Sequence, residues 1–212
     1  MPIVFASISP HPPIILPSVG SEKERKEVKK TIESLNKLGR KFKELNPDSI
    51  IISAPHPDWG FNVPLFFIAR DFKGEIKTYL TGLESPQFYF KEGKKLYQEL
   101  SRGPSSAKKL AVVASGDLSH CLKADGPYGF QEDGPKFDKA LIEALKKKDI
   151  ETILKLDELY PEAGECGLRS FSFLLGILEA HSTSSGQVWQ SEILSYEGPF
   201  GVGYLVVNFK IL

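Results

Sequence analysis

Apolar residues recur along this chain in two rhythms. Short apolar runs read as buried strands at "IVFASI" (3–8), "DSIIISA" (48–54) and "KKLAVVAS" (108–115). Longer segments space their apolar residues by three and four. In "SEKERKEVKKTIESLNKLGRKFKEL" (21–45), Val28, Ile32, Leu35, Leu38, Phe42 and Leu45 predict one helix with a single buried stripe. Ser21 with Glu24 three residues on predicts a capping box at its start. "SPQFYFKEGKKLYQELS" (85–101) opens on Ser then Pro, a helix entry. "PKFDKALIEALKKKD" and "IETILKLDELY" predict two more helices, and "GLRSFSFLLGILEAH" (167–181) a more apolar and hence well-buried one. "GEIKTYL" (74–80) alternates and carries a lysine, as an edge strand does. "VWQSEILSYEG" and "GVGYLVVNFKIL" predict two strands joined by Gly198-Pro199. Strands alternating with helices predict an α/β sandwich on a mixed, largely parallel sheet with an antiparallel C-terminal pair. No internal repeat or linker interrupts the pattern, so residues 1–212 are expected to form a single domain.

Composition narrows the function classes. Hydrophobic residues make up 41% and charged residues 25%, an ordinary globular balance. Lys+Arg 27 against Asp+Glu 27 leaves a formal net charge of zero, so no overall basic field gathers nucleic acid or anionic lipid. Neither nucleic acid nor a membrane is an expected partner. No apolar run approaches the ~20 residues that span a bilayer. The N-terminal segment lacks a basic region and is cut by prolines, unlike a signal peptide. Two cysteines, Cys121 and Cys166, make no disulfide scaffold, and a cytoplasmic location is expected.

Chemistry concentrates at three strand ends. His11 follows the first strand in "SPHPP", His56 the second in "SAPHPDW", and His120 the strand ending near residue 115, in "ASGDLSH". Ligands of open α/β sheets bind outside the carboxyl ends of the strands, so three imidazoles there are expected to converge. The prolines beside His11 and His56 restrict the backbone and aim each ring. Neutral imidazole suits Fe, Zn, Cu and Ni, and an anionic ligand would complete a two-His-one-carboxylate face. Candidates for it lie in "YPEAGECGLRS" (160–170): Glu165 just before the buried helix, Glu162 on the same loop, and Cys166 as a soft alternative. Other residues take blander readings. His181 is read as closing a helix, Lys146–Lys148 as a solvated helix end, and Gly201 to Gly203 as close backbone packing at a strand entry rather than a phosphate loop. Asp58 and Trp59 are candidates for the pocket wall, with packing an equal reading of Trp59.

Taken together and in order, "SPHPP", "SAPHPDW", "ASGDLSH", "GPYGF…DGPKFDKAL" and "GECGLRS" resemble the catalytic subunit of class III extradiol ring-cleavage dioxygenases, of the protocatechuate 4,5-dioxygenase beta-subunit or LigB type. The resemblance implies a three-layer α/β/α sandwich, Fe(II) with Zn as the other candidate metal, His11, His56 and Glu165 as metal ligands, and His120 as the acid/base residue. It implies a small aromatic diol or aminophenol and O2 as reactants, and admits a homo-oligomer or a small accessory subunit. "GDLSH", "CGLR" and "GVGYLVV" are also similar to the Memo family, where a cysteine takes the third metal position. That similarity would place Cys166 there and implies a metal-binding or interaction protein without ring cleavage. Glu165 and Cys166 are adjacent, and Glu165 is favoured because it restores the oxygenase triad.

Overall fold

The computed structural model describes residues 1–103 and 107–212. Six strands form one sheet: β1 (Ile3–Ser9), β2 (Ser49–Ala54), β3 (Glu75–Leu80), β4 (Leu110–Ser115), β5 (Trp189–Glu197) and β6 (Tyr204–Ile211), in spatial order β3-β2-β4-β1-β6-β5. The first four in that order run parallel, β6 is antiparallel to β1, and β5 is antiparallel to β6. The helices are α1 (Glu22–Glu27), α2 (Lys29–Leu45), α3 (Trp59–Ile68), α4 (Pro86–Arg102), α5 (Asp133–Lys147), the short α6 (Ile150–Ile153) and α7 (Leu156–Leu159), and α8 (Leu168–Ser185).

β2 and β4 are buried along their whole length, which is why their sequences read as unbroken apolar runs rather than as alternation. Their side chains still alternate between two cores. Ile51, Val112 and Ala114 join Phe137, Phe171 and Phe173 from α5 and α8 on one face, with Tyr89 and Tyr97 from α4. Ile50, Ile52, Ala111 and Val113 pack with Leu35, Leu38 and Phe42 of α2 and Val63 and Ile68 of α3 on the other. Two helical layers sandwiching one sheet make the three-layer α/β/α architecture. Among the described residues, no helix is long and apolar enough to cross a membrane.

α4 and α8 cross at glycines on both sides. A Cβ on Gly93 would collide with the Phe173 carbonyl oxygen, and one on Gly176 with that of Phe90. The absence of side chains there lets the two backbones approach closely.

The structure departs from the sequence pattern in four places. The 21–45 segment is two helices: its capping box forms, with Ser21 Oγ accepting from the Glu24 amide and the Glu24 carboxylate accepting from Ser21 N, but Val28 leaves helical geometry. Val28 is fully buried, whereas α1 buries nothing. The 150–160 segment is likewise split into α6 and α7 around Lys155. α3 has no amphipathic signature because "WGFNVPLFFI" is apolar nearly all round and holds an internal Pro64. His181 does not close a helix, since α8 continues to Ser185. It is buried, its Nε2 accepting from the Ile3 amide at 3.4 Å and its ring edge-on to Tyr97.

Candidate metal centre

The carboxyl ends of β2, β4 and β1 lie side by side, with β4 in the middle. Each strand is followed at once by a polar loop: Pro10-His11 after β1, Pro55-His56 after β2, and Gly116-Asp117 leading to His120 after β4. Parallel strands therefore bring residues distant in sequence to one edge. The rings of His11 and His56 meet edge to face, centroids 5.5 Å apart. The loop before α8 reaches the same place because Gly116 and Gly167 lie back to back, where a Cβ on Gly116 would strike the Gly167 Cα. Gly167 N donates to the Asp117 carbonyl at 3.1 Å, and Asp117 N donates to Cys166 Sγ at 3.3 Å.

The loop before α8 thus brings a thiol, Cys166, beside the two imidazoles. One ligand atom each from His11, His56 and Cys166 lie within 4.8 Å of one another, and a second group of Asp117, His120 and Cys166 meets the same limit. His11 Nε2 and Cys166 Sγ are 3.7 Å apart. A tetrahedral ion with ordinary metal–nitrogen and metal–sulfur bonds separates two such donors by roughly 3.6 Å, so the pair already has the right span. Glu165, expected as the carboxylate ligand, is not brought to the imidazoles. Its Oε2 accepts from Leu168 N at 2.6 Å, at the start of α8, and its Oε1 pairs with Arg169 at 3.2 Å. A carboxylate at the positive end of a long helix is well served there, and consecutive residues of an extended loop point opposite ways. Glu162 is exposed, its amide donating to Asp133 at 3.2 Å.

Burial dominates the electrostatics of these groups. Burial, and then the neighbouring His56, hold the His11 imidazole down to about 3. With its proton on Nδ1, donated to Ser115 Oγ at 3.0 Å, Nε2 presents a lone pair toward Cys166. Asp117, buried between the histidines, is pushed up to about 6, its Oδ1 accepting from His11 N at 3.0 Å. The 3.9 Å approach of Asp117 Oδ2 to His11 Nε2 is therefore no ion pair. Burial drives the Cys166 thiol well above its ordinary range, so its thiolate needs a positive ion beside it. Two imidazoles and a thiolate fit a divalent metal such as zinc or iron.

His120 stands beside this set rather than in the His11–His56–Cys166 group. Its Nε2 is buried and has no hydrogen-bond partner among the described residues, and its ring lies 5.1 Å from that of Tyr128, which is 63% exposed. Burial lowers its pKa, leaving a neutral imidazole. Trp59 is half exposed at the start of α3, next to Asp58, whose φ of 55° is a left-handed conformation.

Over residues 55–207 the chain matches the family model described as "Catalytic LigB subunit of aromatic ring-opening dioxygenase". The chain belongs to the LigB family. His11 precedes the matched span, whereas His56, His120 and Cys166 lie inside it. A curated relative, Protein CA_C1420 of Clostridium acetobutylicum, is 29% identical over 274 aligned positions that cover 95% of this chain. The chain spans 56% of that relative's length. Among solved structures, the uncharacterized protein JW3007 from Escherichia coli K12 superposes with a TM-score of 0.60 at 15% identity, covering 97% of this chain and 99% of the other. That likeness shows the three-layer α/β/α fold alone.

Two supporting residues escaped the sequence reading as site members. Asp117 sits in "ASGDLSH" at the same strand end as the histidines, and that position was the available signal. Asp138, on α5, carried none. Buried, it accepts from Ser119 N at 2.8 Å and from the Tyr196 hydroxyl at 2.5 Å, and so fixes the backbone beside His120. Gly203 closes against the same loop, donating to the Ser119 carbonyl at 2.8 Å, the close packing expected of Gly201 to Gly203.

Burial raises Asp138 from 3.8 to about 7. Between those values the folded LigB chain holds one proton more than the unfolded one, so stability falls as pH rises through that window and levels off above it. Denaturant melts across this range are expected to show that slope, and Asp138→Asn, which keeps both partners, is expected to flatten it.

Proposed function

We propose that this chain is a metal-dependent ring-opening oxidoreductase that acts with O2 on a small aromatic diol or aminophenol, using His11, His56 and Cys166 as metal donors and His120 as the proton carrier. The observation that carries the reading is the unpartnered Nε2 of His120. A buried imidazole nitrogen without a protein partner costs stability unless a ligand takes it, and a substrate hydroxyl held beside the metal donors is such a ligand. A bound Fe(II) would supply adjacent open positions that hold both oxygens of a diol together with O2. His120, kept neutral by burial, takes the hydroxyl proton as the substrate docks and returns it to the product oxygen. Asp117, within reach of His120, stabilises the imidazolium in between. The exposed Tyr128 ring offers a flat face against which an aromatic substrate can stack above His120.

The test is anaerobic loading with Fe(II), then exposure of a panel of catechols and aminophenols to air. Oxygen uptake with a coloured ring-opened product is expected, and His120→Gln is expected to lower turnover by about 10²–10⁴-fold with the metal still bound. The 3.7 Å approach of Cys166 Sγ to His11 Nε2 supports a second reading, a Memo-like metal-binding protein without ring cleavage. Tight metal binding with no oxygen uptake across the panel would select it.

A further inference from the structure

β3 forms one edge of the sheet, and five of its six residues are exposed. Protected edges carry bulges, prolines or inward charges. At the opposite edge β5 has such a device, a register shift between Ile193 and Ser195, and its Glu192 is tied to Lys37 and Lys210 at 3.6 and 3.5 Å. β3 pairs with β2 in unbroken register, contains no proline, and has one lysine, Lys77, held 3.5 Å from Glu75 of the same strand. Ile76, Thr78 and Leu80 share a face with Ile50, Ile52 and Ala54, which α2 and α3 bury. Past those helices the apolar face continues into solvent, with Leu80 55% exposed. Beside the start of β3 lies a groove of about 530 Å³ between the ends of α2 and α3, lined by Phe42, Phe67, Phe72 and Gly74.

We propose that the β3 edge is a self-association surface through which two copies of this chain pair antiparallel, continuing the sheet across a twofold axis. The strand's own sequence selects the second copy as occupant. A twofold axis perpendicular to the sheet keeps the same face uppermost in both copies, so opposed residues must share parity. An axis at Lys77 opposes two lysines, which is destabilising. An axis at Thr78 sets Ile76 against Leu80 of the second copy, Lys77 against its Tyr79, and threonine against threonine, all favourable cross-strand pairs. In that register Leu83, the most exposed large apolar side chain at 96%, comes level with residues 72–74 of the second copy, at the lip of the groove. The zero net charge imposes no long-range repulsion between copies. A strand edge with two such knobs is a small interface, and the dimer belongs to the weak class with micromolar dissociation.

Sedimentation equilibrium of the full chain from low to several-hundred micromolar is expected to show a monomer–dimer equilibrium. Leu83→Glu, at a site where folding asks nothing of the side chain, is expected to weaken it at least tenfold. Thr78→Cys is expected to give a disulfide-linked dimer that the unsubstituted chain does not, because the axis places the two Cα atoms ~4.5–5.5 Å apart. A monomer at every concentration overturns the proposal. So does a dimer that Leu83→Glu leaves intact and Thr78→Cys fails to cross-link.

Discussion

Cys166→Ala is expected to lower metal affinity by at least about 10²-fold, since removal even of a residue that only orients a ligand costs ~10–100-fold. Glu165→Gln is expected to leave that affinity within a few-fold and to reduce folding stability instead. The two adjacent residues differ in what they face. Cys166 Sγ is 3.7 Å from His11 Nε2 and shares a ligand group with His56. The Glu165 carboxylate is already committed to the Leu168 amide and to Arg169. Glutamine keeps an acceptor for Leu168 N but loses the charge that favours the helix start, a cost of about 0.5–2 kcal/mol. Chelator competition and thermal melts of metal-free protein separate the two effects. If Glu165→Gln lost the metal while Cys166→Ala kept it, the donor assignment would be reversed and the oxygenase carboxylate restored.

Gly176→Leu is expected to destabilise the protein by about 3 kcal/mol or more, or to prevent folding, because overpacking against backbone has no flexible side chain to yield. The obstacle is the Phe90 carbonyl of α4, and Gly93 meets the Phe173 carbonyl of α8 in return, so neither helix can retreat without moving the other. Since α8 begins directly after Gly167, a shift of α8 also moves Cys166. Gly129→Ala provides the contrast. A Cβ there meets nothing within 4 Å, and its φ of +74° imposes only the backbone penalty of about 1 kcal/mol. Denaturant unfolding of both variants checks the pair. A loss at Gly176→Leu no larger than at Gly129→Ala would mean that α4 and α8 can move apart at little cost.

The sheet was legible because its strands combine apolar runs with clear punctuation, as at Asn46-Pro47 before β2. Helices with a polar face, α2, α4 and α5, were legible for the same reason. α3 was not, since a segment buried on most sides has no face for periodicity to mark, and the break at Val28 depends on where the core lies rather than on local preference. In the candidate site, the meeting of His11, His56 and His120 at one sheet edge was legible from a shared position after parallel strands. Which of Glu165 and Cys166 faces the imidazoles was not. It turns on which way a single peptide faces as the chain enters α8, and that is set by the contact between Gly116 and Gly167, two residues without side chains to read.

The proposed donors lie far apart in the chain: His11 and Cys166 are separated by 155 positions. An ion held between them acts as a removable cross-link that closes most of the polypeptide into a ring. The entropy of closing a loop that long is subtracted from the unfolded ensemble whenever unfolding leaves the ion attached. Release of the ion on unfolding would instead tie the folded lifetime to free metal concentration by mass action. In either case metal supply would set how long the polypeptide resists proteolysis, a property that depends on the donor geometry and not on turnover.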